Sequence, residues 1–409
     1  MIQTLVKTIY AILCIVVIGF VVFGNCLSNG FVRDDYAQIV RAPLIHSVRA
    51  IPYLFISSSH HKGAEGFLFG FFYRPIPFSI YALIYSINQQ AFAFHLVQLV
   101  FAISNACLVF VLLKKFLLPG IALFLSVLFL VHPINEEVIA YIANLQDILF
   151  FFFGMVAIYI TTQRKQTIWH HMMSGLFLLS SLLSKETGIL FFAIVWIYLL
   201  LYNKTLLKKT TLVMVSVLLA YFVLRINSSL FYFQQVTTIL VHSSSYERLV
   251  SVPKVFFFYI HELFLPTRYF PSPNILPIQT ITFSTFSLPL IVSMLFLALF
   301  LVLYLFVRRK KQARHFLFFF LWFSLGIGIH LQIFPLDQLV AKRWMYFPFV
   351  GLLGMFGTAV SLLPLKNKTI QAALGILGFI ILVIFSLQTH YMNSFWKNQT
   401  TIIRQLKMY

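Results

Sequence analysis

The sequence predicts an all-α polytopic membrane protein. Three observations predict it. Apolar residues make up 60% of the 409-residue chain, well above the roughly 45–50% of an average soluble domain. Only 10% of residues are charged, against roughly 25% in soluble proteins. Apolar runs near the roughly 17–25 residues needed to cross a hydrocarbon core recur from end to end.

About eleven spans are expected at that length criterion. They are Val6–Leu27, Phe92–Leu113, Leu117–His132, Ile148–Thr161, Ile168–Leu183, Gly188–Tyr202, Thr210–Ile226, Phe286–Val307, His315–Ile333, Phe347–Leu363 and Ile370–Leu387. The third to sixth are short for a full crossing. The first run is longer than a signal-peptide core and lacks a small-x-small cleavage site, so it reads as an uncleaved span. Cys14, Cys26 and Cys107 sit in or at the end of apolar runs without metal spacing and read as structural filler.

The net charge is +20. No zinc-finger spacing or basic recognition segment accompanies it, which argues against nucleic acid. Its distribution fits topology instead. With the N-terminus in the cytoplasm, inner connections hold Lys7, Lys114, Lys115, Arg164, Lys165, Lys204, Lys208, Lys209, the Arg308–Arg314 block, Lys366 and Lys368. That is the positive-inside bias. All 10 acidic residues then lie outside or at outer span ends. The C-terminal tail 388–409 falls outside as well.

The chain reads as one membrane domain, 1–409, with large outer loops at about 29–90 and 227–285. Pro75–Ile87 is too short to cross and reads as interfacial. Val250–Leu265 is apolar but carries Lys254, His261 and Glu262, so it reads as interfacial or re-entrant.

Four groups at outer span ends carry chemistry. Asp34 and Asp35 are adjacent carboxylates after the first span. A carboxylate can take the proton of a hydroxyl acceptor; alone, the dipeptide reads as a solvated helix start. Arg74, between Tyr73 and Pro75, offers a fork that suits phosphate, though an interfacial Arg is also a routine anchor. His132, Glu136, Glu137 and Asp147 can orient a sugar, buffer a proton or bind a metal. The last group is cationic: Lys185 beside Glu186, and Lys342 with Arg343. Outer basic residues run against the positive-inside trend; a lipid-linked phosphate would explain them, and so would an ion pair of Lys185 with Glu186 or with another outer acid. His60-His61 and His170-His171 read as residues without a role. Together the groups supply a base, phosphate-binding cations and sugar-binding polars on one face, as transfer from a polyprenyl-phosphate sugar requires.

The same residues carry a resemblance. Phe31–Val40 (FVRDDYAQIV), Tyr73–Pro75 (YRP), His132–Val138 (HPINEEV), Asn144–Leu149 (NLQDIL), Ser184–Ile189 (SKETGI) and Ala341–Gly351 (AKRWMYFPFVG) occur in the order of the family's motifs. The chain resembles the membrane part of the O-mannosyltransferases that join a membrane domain to tetratricopeptide repeats. More broadly, it is similar to C-type glycosyltransferases. The resemblance implies a polyprenyl-phosphate hexose donor, a mannose-like sugar, inversion at the anomeric carbon and a protein or glycan acceptor. It carries the catalytic acids onto Asp34 and Asp35, with Asp34 favoured as base. Arg74, Lys185, Lys342 and Arg343 become donor-phosphate residues. His132, Glu136, Glu137, Asp147 and Glu186 become sugar or acceptor residues. No resident cofactor is implied, and a divalent metal at Asp34 and Asp35 stays open.

This sequence departs from the family's pattern at Asn135, Leu145 and Lys342. The family's repeats are missing from the sequence, which places the expectation in a bacterial inner membrane. Two other functions compete: a polymerase or ligase of lipid-linked glycans, and a transporter or flippase. A transporter places its sites near the midplane, and no acidic residue lies mid-span here.

Overall fold

A computed structural model describes residues 2–56, 72–229, 243–266, 277–278, 280–333, 336, 338–363 and 367–407. Glu65, Asp337, His60 and His61 lie outside the described residues, as do parts of both large outer loops.

The described residues form helices and connecting turns without strands. Numbered in chain order, the helices that frame the argument are α1 Ile2–Phe23, α2 Pro75–Ile87, α3 Ala91–Leu113, α4 Pro119–Val131, α5 Glu136–Ala140, α6 Leu145–Thr161, α7 Ile168–Ser184 and α8 Ile189–Tyr202. They continue with α9 Leu207–Ser229, α10 Ser245–Phe264, α11 Leu288–Val307, α12 Ala313–Gly328, α13 Tyr346–Val360, α14 Lys368–Asn393 and α15 Gln399–Lys407.

Every apolar run singled out in the sequence falls on a helix. Among the described residues, 6 helices are long and apolar enough to cross a membrane, or up to 7 if the bent pair Pro119–Val131 and Pro133–Ala140 is one span. The bend has a local cause: Pro133 cannot continue the hydrogen-bond ladder of α4. Pro75–Ile87, Glu186–Tyr202 and Ala313–Gly328 are apolar but shorter. The segment around Val250–Leu265 is the single helix α10, which runs through Pro253. All three cysteines are free thiols.

The chain divides into two compact units interleaved in sequence. The first comprises Met1–Lys115, Glu136–Gln234 and Leu387–Ile402. In it α6 packs against α3, α7 and α8. Gly154 of α6 lies against the Phe191 ring of α8, where a Cβ would overlap the ring. The second unit comprises Phe116–Asn135, Gln235–Ser386 and Ile403–Tyr409. Its centre is the pair α12 and α13. Gly351 lets the two backbones meet, since a Cβ there would stand 2.4 Å from Phe323 N. Small residues serve helix contacts in lipid this way. Trp322 Nε1 donates to Phe347 O at 3.0 Å across the same contact.

Candidate functional site

In the first unit, the candidate residues gather around one short segment, 141–147. Tyr141 breaks the helical path between α5 and α6 with extended backbone (φ −106, ψ 114). The break leaves main-chain groups that must find partners. Gln98 of α3 answers from one side, its Nε2 donating to Val138 O, Ile139 O and Tyr141 O. Tyr81 Oη of α2 donates to Ile142 O at 2.7 Å. The segment is therefore built into the unit from two helices.

The acid pair docks on this segment. Asp35 is fully buried. Its Oδ1 accepts from Ala143 N at 2.8 Å and its Oδ2 from Val32 N at 2.9 Å. Burial nevertheless pushes its carboxyl up to about 8; the two N–H groups oppose that shift and neighbouring Asp34 adds to it. Asp34 is exposed. Its backbone N–H donates to Tyr141 Oη at 2.9 Å. Burial raises the Tyr141 phenol far above its usual range, and Asp34 and Asp35 raise it further. Tyr141 thus stays a neutral hydroxyl. Arg33, just before the pair, has φ 48, a left-handed conformation uncommon outside glycine.

The cations meet the other end of the segment. Asp147 stands in the first turn of α6 and its Oδ1 receives Lys185 Nζ at 2.6 Å. Its Oδ2 is buried with no hydrogen-bond partner among the described residues. Arg74 donates from Nε and Nη2 to Glu186 Oε2 at 2.9 and 2.7 Å. Its Nη1 reaches Gln146 Oε1 at 2.5 Å, and its guanidinium lies 3.9 Å from the Phe72 ring centroid. Arg225 of α9 approaches Glu186 at 3.8 Å. Two ion pairs, Arg74–Glu186 and Lys185–Asp147, therefore end on the neighbouring residues Lys185 and Glu186, and Arg74 also bonds Gln146 beside Asp147.

Glu136 and Glu137 open α5 and are both buried. Glu136 Oε1 accepts the indole N–H of Trp396. The Glu137 carbonyl accepts from Asn144 Nδ2 at 3.0 Å.

The remaining candidates belong to the second unit. His132 caps the end of α4. Its Nε2 bonds Leu263 O at 3.0 Å, and its Nδ1 accepts from Ile134 N at 3.1 Å. The carbonyl can only accept, so Nε2 carries the proton and the ring is the neutral tautomer. Lys342 is buried and pairs with Glu262 Oε2 at 3.1 Å. Arg343 follows it in the same helical turn, Lys342–Met345, half-buried.

Four residues of this arrangement, Glu262, Gln146, Tyr141 and Trp396, are not among the site residues expected from the sequence. Glu262 carried a signal: an acid in an apolar run asks for a partner. Gln146, Tyr141 and Trp396 carried none, because their roles depend on groups far away in sequence. His170 and His171 make ordinary local contacts, His170 within the Thr167 cap and His171 with Thr210 Oγ1 at 3.0 Å. Among the described residues, no group of three or more His, Cys, Asp or Glu side chains is placed to hold a metal ion.

Comparison with known proteins finds one informative similarity. The chain is 27% identical over 194 residues to a protein O-mannosyl-transferase of Caenorhabditis elegans, F38B6.6. The match takes in 44% of this chain and 26% of that protein, so the chain spans about a quarter of its relative's length. No family model matches the chain, and no solved structure does.

Proposed function

We propose that this chain is an inverting glycosyltransferase that moves a mannose-like hexose from a polyprenyl-phosphate donor to a hydroxyl acceptor at the outer membrane face. The observation that carries the reading is the pair of opposite circumstances at Asp34 and Asp35. An exposed carboxylate follows directly on a strained residue and precedes a buried carboxyl anchored by two backbone N–H groups. The partial likeness to an O-mannosyl-transferase agrees with it.

In this reading Asp34 is the general base. It takes the proton of the acceptor hydroxyl as that oxygen bonds to the anomeric carbon. The bond from that carbon to the phosphate oxygen breaks on the opposite side, which inverts the configuration. The leaving group is the polyprenyl phosphate, whose charge needs cations. Arg74 and Lys185 supply them in this reading. Glu186 and Asp147 hold Arg74 and Lys185 in place before the phosphate arrives. Asp147 Oδ2, a buried acceptor with no hydrogen-bond partner among the described residues, suits a sugar hydroxyl. Glu136 and Glu137 complete the proposed sugar and acceptor contacts. The sequence of steps uses no resident cofactor. A metal-assisted version at Asp34 and Asp35 would show as loss of transfer in chelator.

The test uses the full chain in liposomes, a radiolabelled polyprenyl-phosphate mannose and a serine- and threonine-containing peptide. Labelled product is expected from the wild type. Asp34→Asn should lower the rate by roughly 10²–10⁴-fold, the usual worth of a positioned base, with unchanged thermal unfolding. Full activity in Asp34→Asn would remove the base assigned here. A diphosphate-linked glycan donor run in parallel separates the polymerase or ligase alternative, and substrate counterflow without covalent product separates the transporter.

A further inference from the structure

The loop that carries Asp34 has no regular secondary structure over Asn29–Val32; Asn29 N and Val32 N find local acceptors in Cys26 O and Asp35 Oδ2, while the N–H groups of Gly30, Arg33 and Asp34 depend on remote groups. Those groups come largely from one place near the other end of the chain. Gly30 N donates to Lys397 O at 2.9 Å. Arg33 N, at the strained residue, donates to Gln399 Oε1 at 2.9 Å. The Asn29 side chain donates to Asn393 O at 3.1 Å. Between these contacts lies Trp396, which is buried. Its ring stacks on Tyr141 with centroids 4.7 Å apart and planes 17° apart. Its indole N–H is held by Glu136. Tyr141 in turn receives the Asp34 N–H.

We propose that the C-terminal elbow, Asn393 to Gln399, is a positioning strap for the Asp34 loop. Tyr141, Trp396 and Gln399 are its positioning residues. The inference rests on the reading of Asp34 as base. The strap acts in two ways. Gln399 and Lys397 tie the loop backbone on either side of Val32. Trp396, locked by Glu136, fixes the Tyr141 ring, and the phenol oxygen fixes the Asp34 amide. An Arg in the left-handed region persists only where its surroundings over-determine it, and these contacts supply that determination. A base displaced by about 1 Å loses about 10²-fold in rate, so a device at this distance from the carboxylate governs turnover without touching substrate.

The experiment compares Tyr141→Phe, Trp396→Phe and Gln399→Ala in the full chain, with two readouts. In the mannose transfer assay, kcat is expected to fall by about 10-fold or more in each variant, with the donor KM within about twofold, the pattern of a lost transition-state alignment. Hydrogen–deuterium exchange is expected to rise across residues 30–36 and to stay at wild-type levels in α3 and α6. Tyr141→Phe with Trp396→Phe should be far less than additive, because both act through one contact. Wild-type exchange across residues 30–36 in all three variants would overturn the strap, as would exchange raised evenly throughout the unit. A rate loss confined to KM would also overturn it. Should Trp396→Phe fail to fold, the exposed Gln399, which contributes one hydrogen bond to the loop, carries the test alone. Absence of transfer in the wild type would count against the proposed function; the exchange measurement would still decide the strap.

Discussion

Asp34 and Asp35 are neighbours in sequence with opposite fates. One is exposed; the other is sealed and holds two backbone N–H groups. The sealed carboxyl makes a pH prediction. Its ordinary value of 3.8 is raised by burial to about 8 in the folded protein. Between those values the folded chain keeps a proton that the unfolded chain releases, so folding is favoured at the acid end. That contribution is fully present below pH 3.8, declines as pH rises, and is gone above about 8. Thermal unfolding in detergent should therefore show stability falling between about pH 4 and pH 8. Asp35→Asn should flatten that slope. It should also cost about 1 kcal/mol, because the amide cannot accept from both N–H groups. A wild-type slope of the opposite sign would contradict the assignment.

At the scale of elements, two contacts in the second unit carry predictions. The Glu262–Lys342 pair joins α10 to the turn that carries Arg343, with both side chains almost completely buried. Removing one partner takes this ionic contact from the other buried charge. Glu262→Ala or Lys342→Ala should cost roughly 3–5 kcal/mol, whereas joint replacement by Leu and Met should recover most of it. Calorimetry of the purified variants checks this, and equal losses in the single and joint variants would show that the pair itself is unimportant. The second contact is the close passage of α12 against α13 at Gly351. A methyl group there meets main-chain atoms, which cannot swing aside as a side chain can. Gly351→Ala should destabilise by about 1–3 kcal/mol, the usual cost of overpacking. Gly375→Ala, where a Cβ meets nothing within 4 Å, is the matched control.

For the whole molecule, the surface argues for lipid. In α14, mean hydropathy over its span window is 2.6, yet none of that window is buried inside the chain. The span over Phe283–Val307 is similar, with 22% of its window buried. In water such faces would be a large unsatisfied apolar area; in hydrocarbon they match their solvent. The basic connections then predict orientation. In a variant freed of Cys14, Cys26 and Cys107, a cysteine placed at Arg309 should resist an impermeant maleimide added outside the cell. One placed at Asn88 should react. The reverse pattern would invert the topology and remove the outer-face assignment.

Helicity, the positions of the apolar runs and the candidate acids and cations were all legible in the sequence, because each depends on local composition and spacing. Hydrophobic length reports a possible span whatever it packs against, and Pro133 marks a bend by its own chemistry. What only the tertiary structure decided is which charges are already spoken for. Arg74 meets Glu186, Lys185 meets Asp147 and Lys342 meets Glu262 across long stretches of chain. It also decided that Asp34 is exposed while Asp35 is enclosed, and that Trp396 reaches Tyr141. The physical reason is the same in each case. A side chain's burial and partners are set by backbone brought near it from elsewhere, and no local pattern encodes that distance.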